Sequence, residues 1–138
     1  MGKNVRVAKG FAWSCYWYCI HGNSFWMIYF DESEFRMGGL IVFDKMDGAF
    51  LHKLDVLRGL CGFPFILNST YRSPEYNRSV GGAPNSTHMR GIASDIHCDD
   101  PYKRIKLVKH AIELGLTVGV YKTFVHVDNR DGQLMFVP

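Results

Sequence analysis

The sequence predicts one small α+β domain, an antiparallel sheet with flanking helices beside a surface cleft. Three observations carry that prediction. Two segments repeat apolar residues at helical spacing between capping residues. Several short apolar runs are bounded by turn formers, the pattern of strands. The 138 residues, 47% hydrophobic and 21% charged, suffice for a single core without disorder. Helices mixed with short strands and tight turns belong to the α+β class. A chain of this length buries roughly two-thirds of its unfolded surface, so neither a metal nor disulfides are needed to explain folding.

The first thirty residues stand apart. Phe11 to Phe30 includes Trp13, Tyr16, Trp17, Tyr18, Phe25, Trp26 and Tyr29. Lys3, Arg6 and Lys9 supply the basic start of a secretory signal. The apolar part, however, is short, aromatic and broken by Ser14, His21 and Asn23. Residues 1–30 are therefore read as an N-terminal extension packing on a domain that spans 31–138. A degenerate signal or membrane-surface anchor is the alternative.

Asp47 to Leu60 reads as a helix. Phe50, Leu51, Leu54, Leu57 and Leu60 follow its spacing, Asp47 caps the start and Gly62 follows the end. Pro64 to Asn68 is a short buried strand. Asn68 to Pro84, rich in Ser, Asn, Gly and Pro, is loop. Ile92 to His97 is the next strand. Pro101 then opens a second helix, whose apolar face is Ile105, Val108, Ala111, Ile112 and Leu114 and whose end is Gly115. Thr117 to Tyr121, Phe124 to Asp128 and Gln133 to Val137 read as strands, with Asn129 to Gly132 a turn between the last two.

A net charge of +3, scattered along the chain, is too small to argue for a nucleic-acid partner. No apolar run reaches the ~18 residues of a transmembrane span. A monomer is expected. Of four cysteines, Cys15 and Cys19 have three residues between them, and no second close pair joins Cys61 and Cys98 in a zinc knuckle. They are read as buried or free thiols rather than a disulfide frame, and the redox compartment stays open.

The segment Ser86-Thr-His88-Met-Arg-Gly91-Ile-Ala93-Ser-Asp95 carries the strongest chemical signal. His88 offers an imidazole and Asp95 a carboxylate, a donor pair that suits zinc. Gly91 and Ala93 are small, so the backbone can turn there from loop into strand. A catalytic zinc needs a third protein ligand and an open position, and His126 is the candidate. On a strand His126 and Asp128 share one face while Val125 and Val127 take the other. Read singly, His126 is more often a structural or surface residue. Arg72 lies on the loop after the first strand. It could grip a carboxylate in two-point fashion or simply be a solvated loop residue. His52 and His110 fall inside helices, whereas His97 shares a strand face with Asp95.

Together these residues resemble a known family. The pattern from Ser86 to Asp95, followed by a His in a late strand, is similar to the zinc D-alanyl-D-alanine carboxypeptidases and the L-alanyl-D-glutamate peptidases. The hedgehog signalling domain shares their fold. Supporting segments run in the expected order: Ser33-Glu34-Phe35, Leu54 to Arg58, Asn68 to Asn77, Val80-Gly81-Gly82-Ala83, and Phe124 to Arg130. The closest likeness is to the small single-domain members common in bacteria and their phages.

The resemblance implies zinc held by His88, Asp95 and His126. It also implies that Arg72 contacts substrate or steadies the developing oxyanion, and that Ser86 supports the site by hydrogen bonding. Many members carry a carboxylate general base three residues before the last His. Here that position is Thr123. Asp128 is the nearest substitute, either as the base or as the residue that orients His126; Glu75 and His97 follow it. The implied function is hydrolysis of peptidoglycan stem peptides, as a D,D-carboxypeptidase or short endopeptidase. Such a protein would face the cell wall or be a phage lysin. The rival is a non-catalytic zinc-containing binding module of hedgehog-like fold.

Overall fold

A computed structural model of the chain describes residues 27–137. The expected packing of residues 1–26, with Cys15, Cys19 and most of the aromatic segment, lies outside the described residues. The chain enters along a 3-10 turn, Glu32–Glu34, and a hairpin of β1 (Arg36–Met37) and β2 (Leu40–Ile41). Gly38 and Gly39, at φ 55° and 87°, supply the positive φ pair that so tight a hairpin requires. Helix α1 (Gly48–Cys61) follows, then β3 (Leu67–Ser69), the short helix α2 (Pro74–Ser79), a 3-10 turn at Thr87–Arg90, β4 (Ala93–His97), helix α3 (Pro101–Glu113), β5 (Thr117–Val120), β6 (Phe124–Asp128) and β7 (Met135–Phe136). None of the described helices is long and apolar enough to cross a membrane.

Local chemistry accounts for the helices. The Asp47 carboxylate accepts the Phe50 amide at 2.9 Å, and Gly62 closes α1 at φ 69°. Asp100 accepts the amides of Tyr102 and Lys103 ahead of Pro101 in α3. Helix α1 buries Phe50, Leu51, Leu54, Leu57 and Cys61, while Leu60 turns outward. Helix α3 keeps part of the expected face, with Ala111 buried and Val108 and Leu114 packed on the core. Its buried residues are Leu107 and Ala111, whereas Ile105 and Ile112 are exposed. Two apolar stripes at helical spacing run side by side here, and packing against the rest of the core selects the one containing Leu107.

The main sheet has strand order β3-β4-β6-β5-β7. Ile96, Val118, Val125 and Val127 enter one core with Phe35, Phe50, Leu54, Leu57, Leu107 and Leu116. Alternation sends Asp95, His126, Asp128 and Gly119 to the opposite face. The core therefore occupies one face and leaves the other for chemistry. Phe30 joins the core, and the Asp55 carboxylate accepts the amides of Ile28 and Tyr29, tying down the chain before the first turn.

Three further expectations are corrected. Gln133 to Val137 does not fold back on β6. Strand β7 pairs with β5 in parallel, so the sheet is mixed. The reason is occupancy: β6 is hydrogen-bonded to β4 on one side and β5 on the other, so β7 must pair at an edge of the sheet, and it takes that of β5. The strand expected at Pro64–Asn68 forms later, at Leu67–Ser69, where it meets β4. The stretch Asn68–Pro84 also hides α2, which Ser73 caps through its hydroxyl and Pro74 opens. Those start signals stand in the sequence, but six residues are too few to show a periodicity.

Candidate metal centre

Gly91 explains how the loop carrying His88 is held against the sheet. Its φ is +69°, and a Cβ there would lie 2.1 Å from the Lys45 carbonyl oxygen. The same close approach lets the Asp47 amide donate to the Gly91 carbonyl at 2.9 Å. Ser86 caps the 3-10 turn by accepting the His88 amide at 3.3 Å. Upstream, buried Asn77 donates from Nδ2 to the Ala83 carbonyl and packs so tightly on Gly82 that no Cβ would fit there. The chain leading to His88 is thus anchored at three places.

Sheet register supplies the rest. Asp95 on β4 stands directly opposite His126 on β6. The ligand atoms of His88, Asp95 and His126 all lie within 4.8 Å of one another, and all three residues are buried. The His88 and His126 ring centroids are 5.1 Å apart.

The outer partners of the two imidazoles assign their protons. His88 Nδ1 lies 2.6 Å from the Thr70 carbonyl oxygen, an acceptor only, so that nitrogen carries the hydrogen. His126 Nε2 lies 2.8 Å from the Asp128 carboxylate, also an acceptor only, so a cation at the inner nitrogen makes Nε2 the donor. What remains is His88 Nε2 at 3.2 Å and His126 Nδ1 at 2.8 Å from the same Asp95 Oδ1. With neutral imidazoles, three lone-pair donors converge on one spot. Either both rings take a second proton or a cation sits among them. Two imidazoles and a carboxylate, oriented from behind by a backbone carbonyl and a second carboxylate, fit a borderline divalent ion such as zinc, with a coordination position to spare.

The electrostatics agree. Burial pushes the Asp95 carboxyl up, but the bonds to His126 and His88 overcome it and hold the group well below the ordinary carboxylate range. Burial likewise opposes ionisation of Asp128, yet Arg130 and then His126 hold its carboxyl low. Burial pulls His126 down, and its bonds to Asp128 and Asp95 more than reverse that, raising it above its ordinary 6.5.

A pH dependence follows for the metal-free protein. The raised His126 stabilises the fold fully below about pH 6.5, and that contribution is lost as pH rises through the folded-state value. The depressed Asp95 and Asp128 act in the opposite sense, stabilising above about pH 4 and failing as acid is added. Thermal melts of chelated protein should therefore decline from pH 6 towards pH 8. Melts of zinc-loaded protein should not, because the ion replaces the protons. Parallel pH profiles for both forms would refute the lone-pair assignment.

The other residues singled out from the sequence are placed as follows. Arg72 is not a solvated loop residue: its Nη2 donates to Asp95 Oδ2 at 2.8 Å and its Nε to the Ser69 hydroxyl at 2.7 Å. Asp128 is fully enclosed. Its oxygens accept from His126, from the Arg130 amide and from the Arg130 guanidinium. Thr123 is exposed. Glu75 is exposed on α2 and pairs with Arg78 at 3.6 Å. His97 stands two residues beyond Asp95 on the same strand, its side chain 39% exposed and 3.8 Å from Asp99.

Two contributors escaped the sequence reading. Thr70 acts through its backbone carbonyl, which leaves no trace in residue type. Arg130 was visible directly after Asp128, but only the fold turns its guanidinium back onto that carboxylate.

Comparison with known proteins adds one match. A family model described as Peptidase M15 matches residues 33–128, which is more than half of the chain and takes in Arg72, Ser86, His88, Asp95, His126 and Asp128. No curated protein matches the chain.

Proposed function

Since this chain belongs to the M15 family of zinc peptidases, we propose that it hydrolyses peptide bonds in peptidoglycan stem peptides, as a D,D-carboxypeptidase or short endopeptidase. The observation that carries this reading is the convergence of His88 Nε2, His126 Nδ1 and Asp95 Oδ1 on one position beside a face of the sheet. Those three residues would hold zinc. The chemistry it supplies when bound is Lewis acidity toward a water and the scissile carbonyl.

The chain's own residues prepare and complete the site. The Thr70 carbonyl and the Asp128 carboxylate keep protons on the outer nitrogens, so the inner ones stay free. Arg72 draws Asp95 Oδ2 aside and leaves Oδ1 towards the centre. Its Nη1, which has no partner among the described residues, is the donor for a substrate carboxylate or carbonyl oxygen. Asp128 already accepts from three donor groups, which suits it to orienting His126 rather than to receiving a proton. His97, half-exposed on the face that carries Asp95, is the candidate to take the proton from the attacking water.

Incubating the zinc-loaded full chain with defined muropeptides, followed by mass analysis, tests the reading. Loss of one alanine marks a carboxypeptidase, and a cut between L-Ala and D-Glu marks an endopeptidase. Intact muropeptides would favour the non-catalytic zinc-containing module, for which Thr123 at the family's base position is the supporting observation. Arg72→Lys should lower turnover by about 10-fold or more, because a point charge cannot serve Asp95, Ser69 and substrate together. Wild-type turnover in that variant would remove Arg72 from the mechanism.

A further inference from the structure

One register row crosses the open face of the sheet: Ser69 on β3, Asp95 on β4, His126 on β6, Gly119 on β5 and Phe136 on β7. Its character changes along its length. The β3 end is polar, with the Ser69 hydroxyl accepting from Arg72. The middle holds Asp95 and His126, which His88 joins from its 3-10 turn. The β7 end is aromatic.

Gly119 makes that end possible. A Cβ there would lie 2.6 Å from the Phe136 ring and 3.3 Å from His126 Cβ. The Phe136 ring therefore lies over Gly119, with its centroid 6.2 Å from that of His126. Tyr121 extends the surface: its ring stacks on Phe124 at 4.2 Å and meets Phe136 edge-on at 6.4 Å. All three rings are only half-buried. The core lies on the other face, so these rings are not needed to fill it. Ligand pockets are lined predominantly by hydrophobic and aromatic side chains, and these rings adjoin the metal-capable cluster.

We propose that Phe136, seated over Gly119 and flanked by Tyr121, forms an apolar subsite for the side chain on the acyl side of the scissile bond. This rests on the peptidase reading above. Arg72, at the opposite end of the row, takes the carboxylate of the leaving residue, so the acyl side of the substrate points towards β7. Neighbouring strands are about 4.8 Å apart and an extended peptide rises about 3.3 Å per residue. Strand β7 lies two spacings from β6, but the Phe136 ring leans back over Gly119 to 6.2 Å from the His126 ring, so a side chain one or two residues from the bond at the centre reaches it. The row then selects substrates by an aliphatic side chain at one end and an anion at the other.

The probes are N-acetyl-Gly-D-Ala, N-acetyl-D-Ala-D-Ala and N-acetyl-D-Leu-D-Ala, added to the zinc-loaded full chain. Dissociation constants come from NMR titration, and cleavage from mass analysis of the same samples. Wild-type protein should prefer the leucyl over the glycyl peptide by about 10-fold or more, in Kd or in kcat/KM. Phe136→Ala should collapse that ratio below about threefold with zinc content unchanged. Gly119→Ala should do the same while keeping the phenylalanine, because its methyl displaces the ring. Phe136→Leu, a second apolar residue on the same edge strand, should retain the preference and guards against mere unfolding. A ratio that survives Phe136→Ala, or wild-type protein that does not discriminate or does not bind, overturns the subsite. Discrimination in binding without cleavage would leave the subsite standing and refute hydrolysis instead.

Discussion

Asp95→Ala should leave the protein without its metal and without activity. Among the described residues Asp95 is the anion shared by two imidazoles and a guanidinium: Oδ1 faces His88 and His126, and Oδ2 accepts from Arg72. Removing it takes away one ligand and leaves the other two without the charge that favours a divalent ion. Metal-ion catalysis supplies several kcal/mol of transition-state stabilisation, and each 1.36 kcal/mol is tenfold in rate, so turnover should fall by roughly 10³-fold or more. The fold should lose less. Arg72 keeps some contact with solvent, so the broken ion pair should cost about 2 kcal/mol, below the value for a fully enclosed pair. Elemental analysis and denaturant unfolding check the two parts separately. Full zinc content in the variant would mean that the ligand assignment is wrong. Chelated wild-type protein should stay folded, because its core lies on the far face of the sheet and uses none of the three ligands.

The second large effect is expected for Asp128→Asn, which keeps the shape and removes the charge. In the structure the carboxylate holds the Nε2 proton of His126 at 2.8 Å and is itself clamped by Arg130. Loss of such an orienting partner weakens metal affinity by about 10- to 100-fold. Turnover should fall at limiting zinc and recover when zinc is in excess. A general base would give a different result, a loss of roughly 10²- to 10⁴-fold with zinc still bound. The enclosed, triply engaged carboxylate leads us to expect recovery. Arg130→Gln should move metal affinity in the same direction by a smaller factor, since it acts on His126 only through Asp128. If Asp128→Asn alters neither zinc affinity nor turnover, His126 is oriented by something else.

The boundaries of the two long helices, α1 and α3, were legible because their start signals are side chains. Asp47 and Pro101 mark two helix starts in the sequence, and in the structure Asp47 caps the first and Asp100 the second. The strand Phe124–Asp128 was legible through alternation, with Val125 and Val127 buried against the core. The face of α3 was not fully legible: Val108, Ala111 and Leu114 meet the core as expected, but Ile105 and Leu107 begin equally good stripes and only a packing partner can choose between them. Nor was the direction of β7. A turn at Asn129–Gly132 would suit a hairpin, but a hairpin needs a free edge, and β6 has none.

The candidate centre divides in the same way. Residue type along one short segment marked His88 and Asp95 as a donor pair, but seven extended residues can span roughly 23 Å, and it is the turn closed by Gly91 that brings the two together. Residue type also determined that His126 and Asp128 would share a face, because a strand has period two. Only the tertiary structure decided that Asp95 pairs with His126 across β4 and β6, that the Thr70 carbonyl fixes the His88 proton, that Arg72 turns inward to Asp95, and that Phe136 lies over Gly119. Each of these is a contact between segments distant in sequence or to a backbone atom. Such contacts are set by register, strand order and packing, which belong to the whole chain and to no single stretch of it.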